Sequence, residues 1–254
     1  FKQKTAYEML RSLVGSEMCI RDSIIALGGG GFSMEPDNLA LDQYIIQQTG
    51  KAKPAVCFLP TASGDPEPYI LRFYQAFLKL DCRPSVLSLF RPPTADLAGY
   101  LLDKDALYVG GGSTRAMLAL WREFGLPEIL RRAYASGVIL AGVSAGANCW
   151  FEACSTDSLP GVPQALACLG FLPGSFCPHY DSEPQRRPSF QAMIAQGKLI
   201  DGYAADDGAA LHFVDGQLHA VVSSRPTAKA YRIVKAGDTA LETPLDTACL
   251  NPPA

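Results

Sequence analysis

The alternation of short apolar runs with amphipathic stretches predicts an α/β fold in which a mostly parallel sheet is covered by helices on both faces. The runs SIIAL (23–27), AVCFLP (55–60), SVLSLF (85–90), ALYVG (106–110) and GVILAG (137–142) have the length and branching of buried strands. Parallel neighbours need a helix-sized connection, and the stretches between the runs supply one. Near the C-terminus the pattern changes. ALHFVDGQLHAVVSS (210–224) reads as two alternating strands joined at Asp215-Gly216, a pair suited to a type I′ turn, so an antiparallel hairpin should extend the sheet.

Taken in order, the first 22 residues, FKQKTAYEMLRSLVGSEMCIRD, carry Glu8, Arg11, Glu17, Arg21 and Asp22 where a secretion signal would need an unbroken apolar core. The segment resembles translated sequencing-adapter read-through, and residues 1–22 are expected to be a non-native or disordered leader. A single domain is expected over residues 23–254. Its helices are foreshadowed by Leu39, Leu41, Ile45 and Ile46 within 37–49 and by Ile70, Phe73, Phe77 and Leu80 within 66–80. A third amphipathic stretch, 114–135, is split by Gly125 and Pro127. With 254 residues, 48 % of them hydrophobic, the chain can bury a large core.

Charge and composition narrow the function. Lys and Arg number 22 against 25 Asp and Glu, a net charge of −3, and no basic field favours nucleic acid. No apolar stretch approaches the roughly 20 residues that cross a bilayer. A soluble, cytoplasmic protein with a small-molecule or peptide partner is expected, with neither nucleic acid nor membrane engaged. Cys19, Cys57, Cys82, Cys149, Cys154, Cys168, Cys177 and Cys249 form no Cys-x-x-Cys pair and no metal-ligand spacing. They read as buried thiols, and no metal is expected.

In a parallel α/β sheet the ligand site lies beyond the carboxyl ends of the strands. Three runs end in suggestive chemistry. LGGGGF (27–32) lacks the full Gly-x-Gly-x-x-Gly frame with its ribose-binding acid, and reads better as a turn packed beneath a neighbouring loop than as a phosphate cradle. YVGGGSTR (108–115) can converge backbone N–H groups on an anion, with Ser113 or Thr114 as a helix cap. Gly142-Val143-Ser144-Ala145-Gly146 matches Gly-x-Ser-x-Gly, the strand-to-helix turn whose small flanking residues lift a serine hydroxyl out of the sheet.

A serine hydroxyl needs a base to take its proton. Of the three histidines, His212 and His219 fall on the hairpin and read as strand residues. His179 lies in GSFCPHYDSEPQRRP (174–188), read as a loop rich in Pro and polar groups. The base needs an orienting acid, and YAADDGAAL (203–211) offers Asp206 and Asp207, with Asp157 as a competing acid in CSTDSLP.

Together, YVGGGST, GVSAGAN, PHYD and DDGAAL, in this order and with these gaps, resemble the peptidase E (aspartyl dipeptidase) and cyanophycinase family of serine peptidases, from Ser23 to the C-terminal strands. The resemblance implies a three-layer sandwich like that of class I glutamine amidotransferases, with no metal or organic cofactor. It puts the nucleophile at Ser144, the base at His179 and the orienting carboxylate at Asp207, where peptidase E has a glutamate. Asp157 is the alternative acid. Backbone N–H groups of Gly111 or Gly112 and of Ala145 would form the oxyanion hole. The substrate would be a short peptide, with N-terminal aspartate in the peptidase E branch. Arg186 and Arg187 are the candidates to grip its carboxylate, beside Ser113 and Thr114, and Ser113 departs from the family's asparagine.

Two other classes stay open. An α/β-hydrolase esterase shares the serine turn but places its acid before its histidine, which would require His212 or His219 as base. A non-catalytic binding module on the same fold would keep the glycines and need no reactive hydroxyl. Oligomeric state is open, a homodimer included.

Overall fold

A computed structural model describes residues 22–250. The expected leader, Asp22 apart, lies outside the described residues. The five apolar runs fall on β1 (Ser23–Leu27), β2 (Ala55–Leu59), β3 (Arg83–Val86), β4 (Ala106–Val109) and β5 (Ile139–Val143). They pair in parallel in the order β1-β5-β4-β2-β3. β3 sits earlier than the expected 85–90. After the Leu87 N–H bonds the Phe58 carbonyl the chain leaves the ladder, and Leu87 and Leu89 enter the core from a loop. An edge strand has one neighbour, so local apolar content does not fix where its pairing stops.

The helices are α1 (Gly31–Met34), α2 (Ala40–Gln48), α3 (Glu67–Phe77), α4 (Leu97–Leu102), α5 (Thr114–Glu123), α6 (Leu126–Ala135), α7 (Ala145–Asn148) and α8 (Arg186–Ala195). The α5/α6 break falls where expected, with Gly125 left-handed at φ 67° and Pro127 in the first turn of α6, where its missing N–H is harmless.

The second half holds β6 (Phe151–Thr156), β7 (Gln164–Ala167), β8 (Leu172–Cys177), β9 (Gly202–Ala205), β10 (Ala209–Val214), β11 (Gln217–Ser223), β12 (Ala230–Ala236), β13 (Thr239–Pro244) and β14 (Ala248–Cys249). β10 and β11 form the expected hairpin, with Asp215 at φ 51° and Gly216 at φ 74°, and β10 joins the main sheet antiparallel to β1. Among the described residues the main sheet thus has eight strands, ordered β14-β11-β10-β1-β5-β4-β2-β3. The single mostly parallel sheet of the sequence reading needs correction, because a second, mixed sheet of six strands is ordered β13-β12-β9-β8-β6-β7. Residues 174–177, expected within a loop, are the end of β8. Most of these strands are short and interrupted by Ser, Thr, Gly or Pro, so the second sheet leaves little periodic trace.

Alternation along the parallel strands divides the core. Ile25, Leu27, Val56, Phe58 and Tyr108 face α2 and α3, packing on Leu41, Ile45, Phe73 and Phe77. Ile24, Cys57, Leu107 and Leu140 face the other way, toward Trp121 and Leu130 of α5 and α6 and toward Phe151 and Phe176 of the second sheet. The outer face of that second sheet holds α8 through Cys177, Phe190, Ile194 and Ile233. The seven described cysteines are free thiols.

Candidate active site

β5 runs directly into Ser144, whose backbone sits at φ 56° and ψ −114°, a conformation L-residues rarely adopt and one that costs about 1–3 kcal/mol. Two glycines make the turn sterically feasible. A Cβ on Gly142 would strike the Gly146 carbonyl, and one on Gly146 would strike the Val109 carbonyl of β4. The turn therefore closes against the neighbouring strand and directs the hydroxyl out of the sheet.

The end of β8 delivers His179, itself at φ 53°. Its Nε2 lies 2.8 Å from Ser144 Oγ and its Nδ1 lies 2.6 Å from Asp207 Oδ1. With Asp207 ionised, Nδ1–H donates to the carboxylate, which leaves Nε2 to accept the serine O–H. The side chains of His179 and Asp207 are 12 % and 14 % exposed, so the chain of bonds is shielded while remaining reachable. Burial alone would raise the Asp207 carboxyl, but bonds from His179 and Ser182 and the charges of His179 and Arg225 hold it below its ordinary range. Asp206 points elsewhere, accepting the Lys229 N–H at 3.0 Å and the Tyr231 hydroxyl at 3.4 Å.

Gly111 abuts the serine, since a Cβ there would come within 3.4 Å of Ser144 Cβ, and its N–H donates to the Tyr69 hydroxyl at 3.3 Å. Gly112 follows it, and Ala145 opens α7 directly after the serine. Ser113 caps α5 by accepting the Ala116 N–H, and buried Thr114 accepts from Asn148 Nδ2 at 3.3 Å. Asp157 is not on the histidine. It pairs at 3.0 Å with Arg186, whose Nε also donates to Glu183 at 2.6 Å and whose Nη1 donates to the Ser155 carbonyl at 3.4 Å. All three nitrogens of that buried guanidinium are therefore occupied. Arg187 lies against the rings of Tyr180 and Tyr231, which pack on each other, and is paired with Glu242 at 3.3 Å. His212 lies in the sheet, bonded to the Tyr44 hydroxyl at 2.8 Å, and burial plus the His219 charge lower its pKa to about 4.

LGGGGF lies beneath the site. The Gly28 N–H bonds the Ala209 carbonyl and the Gly30 N–H meets Met34 Sδ, so these amides do not converge on an anion. Sequence reading missed three neighbours. Asp181 accepts the Asp207 N–H at 2.8 Å, Arg225 donates to the Asp207 carbonyl, and Tyr69 meets Gly111. Asp181 was visible within PHYD, whereas nothing in the sequence around Arg225 or Tyr69 signals the site. Among the described residues no group of three or more His, Cys, Asp or Glu side chains could hold a metal ion, and no helix is long and apolar enough to cross a membrane.

This geometry suits acyl transfer, and comparison with known proteins gives the class. The model of Peptidase family S51 matches residues 24–221, and the chain belongs to that family. It is a peptidase of the peptidase E kind. An uncharacterized peptidase, YgaJ, of Bacillus subtilis (strain 168) is 59 % identical over 222 residues, covering 87 % of this chain and 96 % of the relative. Peptidase E of Pasteurella multocida (strain Pm70) is 27 % identical over 189 residues, 70 % of this chain and 77 % of the relative. Among solved structures, that of a peptidase from an acI-B1 Actinobacterium superposes with a TM-score of 0.70 at 18 % identity, covering 90 % of this chain and 95 % of the other, which supports the α/β fold.

Proposed function

We propose that this protein hydrolyses short peptides through an acyl-enzyme, with Ser144 as nucleophile, His179 as general base and then acid, and Asp207 orienting the imidazole. The observation that carries the reading is the unbroken chain from Ser144 Oγ through both ring nitrogens of His179 to Asp207. Ser144 attacks the peptide carbonyl as Nε2 takes its proton. Nε2 then returns that proton to the leaving amine, and water hydrolyses the ester by the same route. The oxyanion is received by the Ala145 N–H and by the Gly111–Gly112 segment, each donor worth ~3 kcal/mol. For Gly111 this requires that the oxyanion replace the long bond to Tyr69. The glutamine amidotransferase-like architecture is our reading of the same fold, supported by the serine turn at the end of a central parallel strand.

Short peptides are the substrate class we infer, and the occupied arginines do not favour a requirement for N-terminal aspartate. A substrate carboxylate would reach Arg186 only by displacing Asp157, and Arg187 is held by two rings and a glutamate. The alternative esterase reading with a hairpin histidine is not favoured, because His212 is bonded to Tyr44 in the sheet and His219 packs on the His212 ring, whereas His179 meets Ser144. The test is fluorophosphonate labelling of the wild-type protein followed by peptide mapping, with a dipeptide library as substrate. Label on Ser144 with peptide hydrolysis is expected. A chain that neither labels nor cleaves any dipeptide would be a binding module instead.

A further inference from the structure

We propose that the turn Leu27-Gly28-Gly29 is the positioning element of the active site, and that Gly29 is the residue whose missing side chain lets Asp207 reach His179. This rests on the assignment of Ser144, His179 and Asp207 above. Three successive carbonyls of the turn hold three separate segments of the chain. The Leu27 carbonyl accepts the Ser144 N–H at 3.1 Å, the Gly28 carbonyl accepts the His179 N–H at 3.3 Å, and the Gly29 carbonyl accepts the Gly208 N–H at 3.0 Å. The last contact belongs to a parallel β-bridge between Gly29 and Asp207. Nucleophile, base and acid come from β5, β8 and the end of β9, in two different sheets, and this turn at the end of β1 is bonded to all three segments.

The space above Gly29 is where the acid meets the base. A Cβ on Gly29 would fall onto the Asp207 carboxylate, within 2.7 Å of its Cγ and 3.0 Å of His179 Nδ1. A carboxylate has no flexible length with which to retreat, since Asp207 is fixed at its N–H by Asp181 and at its carbonyl by Arg225. A methyl group at position 29 must therefore push the carboxylate off the imidazole. The turn contributes no group to the chemistry. It acts through the three residues it aligns.

The test is a double-mutant cycle on the full chain with Gly29→Ala, Asp207→Ala and the two combined, read by steady-state kinetics, thermal unfolding and the downfield NMR signal of the His179 Nδ1 proton. Gly29→Ala should lower kcat by about 10²-fold or more, because displacing a reacting group by about 1 Å has that effect, with KM within about threefold of wild type. The Nδ1 signal should disappear. Removing the Asp207 carboxylate takes away the overlap and leaves the methyl only its close approach to His179 Nδ1, which a small shift of the ring relieves. Adding Gly29→Ala to Asp207→Ala should therefore change kcat and the unfolding temperature far less than Gly29→Ala does alone. If Gly29→Ala alone does not fold, the combined variant should. Losses that multiply, a combined variant that also fails to fold, or a Gly29→Ala protein with wild-type kcat and an intact Nδ1 signal would each overturn the proposal. Failure of the peptidase assignment is distinct, since it appears as undiminished hydrolysis by Ser144→Ala, while the NMR and unfolding readouts need no turnover.

Discussion

Asp42 on α2 offers a test of the core beneath the active-site turn. Its carboxylate is fully buried, close to Gly31, where a Cβ would come within 3.1 Å of both Oδ1 and the Tyr108 hydroxyl. Burial pushes its pKa from an ordinary 3.8 up to about 8, with the Phe32 and Asp42 N–H groups opposing and the Glu35 charge adding to the rise. Between those two values the unfolded chain has released this proton and the folded chain has kept it. The folded state binds more protons, so stability falls as pH rises through that window. The slope is about 1.4 kcal/mol per pH unit, or about 2.7 kcal/mol between about pH 5 and pH 7, levelling off above about pH 8. Asp42→Asn is close in shape and does not titrate. Urea unfolding of both proteins at about pH 5, 6 and 7 isolates the group, because every other titration, including that of His212 with its pKa lowered to about 4, cancels in the difference. The stability of Asp42→Asn minus that of wild type should climb by about 2.7 kcal/mol across this range, whatever constant offset the amide introduces. A difference independent of pH would show that Asp42 ionises in the folded protein at its ordinary value, and the reasoning would fall.

Ser144→Ala should reduce kcat at least about a thousandfold with unchanged thermal unfolding, and substantial hydrolysis by the purified variant would refute the nucleophile. Asp207→Asn should depress kcat strongly with little change in KM, because the amide favours the wrong imidazole tautomer, whereas Asp157→Asn should be mild in kcat; the reverse pattern would move the acid to Asp157. Arg186→Ala should destabilise the fold by about 1–3 kcal/mol in urea unfolding, since it strips the shared cation from Asp157 and Glu183 while both can still reach water. The same variant should shift KM for Asp-first and Ala-first dipeptides together, and a tenfold or larger rise confined to Asp-first substrates would restore the aspartyl reading.

The sequence by itself determined the parallel half of the fold and supplied the residues of the candidate site. Buried parallel strands are nearly continuous apolar runs, and their crossovers are helices with a 3.6-residue period, so β1, β2, β4 and β5 could be read directly. Gly142-Val143-Ser144-Ala145-Gly146 was legible because a sharp serine turn permits only small neighbours, and the Asp215-Gly216 hairpin because both of its turn residues need positive φ. Tertiary structure decided what depends on groups far apart in the chain. The residues alone left Asp206 and Asp207 open and only the family resemblance pointed to Asp207; which of the two adjacent side chains meets His179 is a matter of strand phase that composition does not encode. Arg186 read as an unpaired cation in the sequence and is paired in the fold, because Asp157 and the Ser155 carbonyl arrive from the end of β6 to join the nearby Glu183. The second sheet escaped notice because its short strands are stabilised by pairing and by burial against Trp121 and Phe213, not by any periodicity of their own. The glycine turn at 27–29 read as simple packing, and its alignment of Ser144, His179 and Asp207 exists only once β1 lies between β5 and β10, with the ends of β8 and β9 brought beside it.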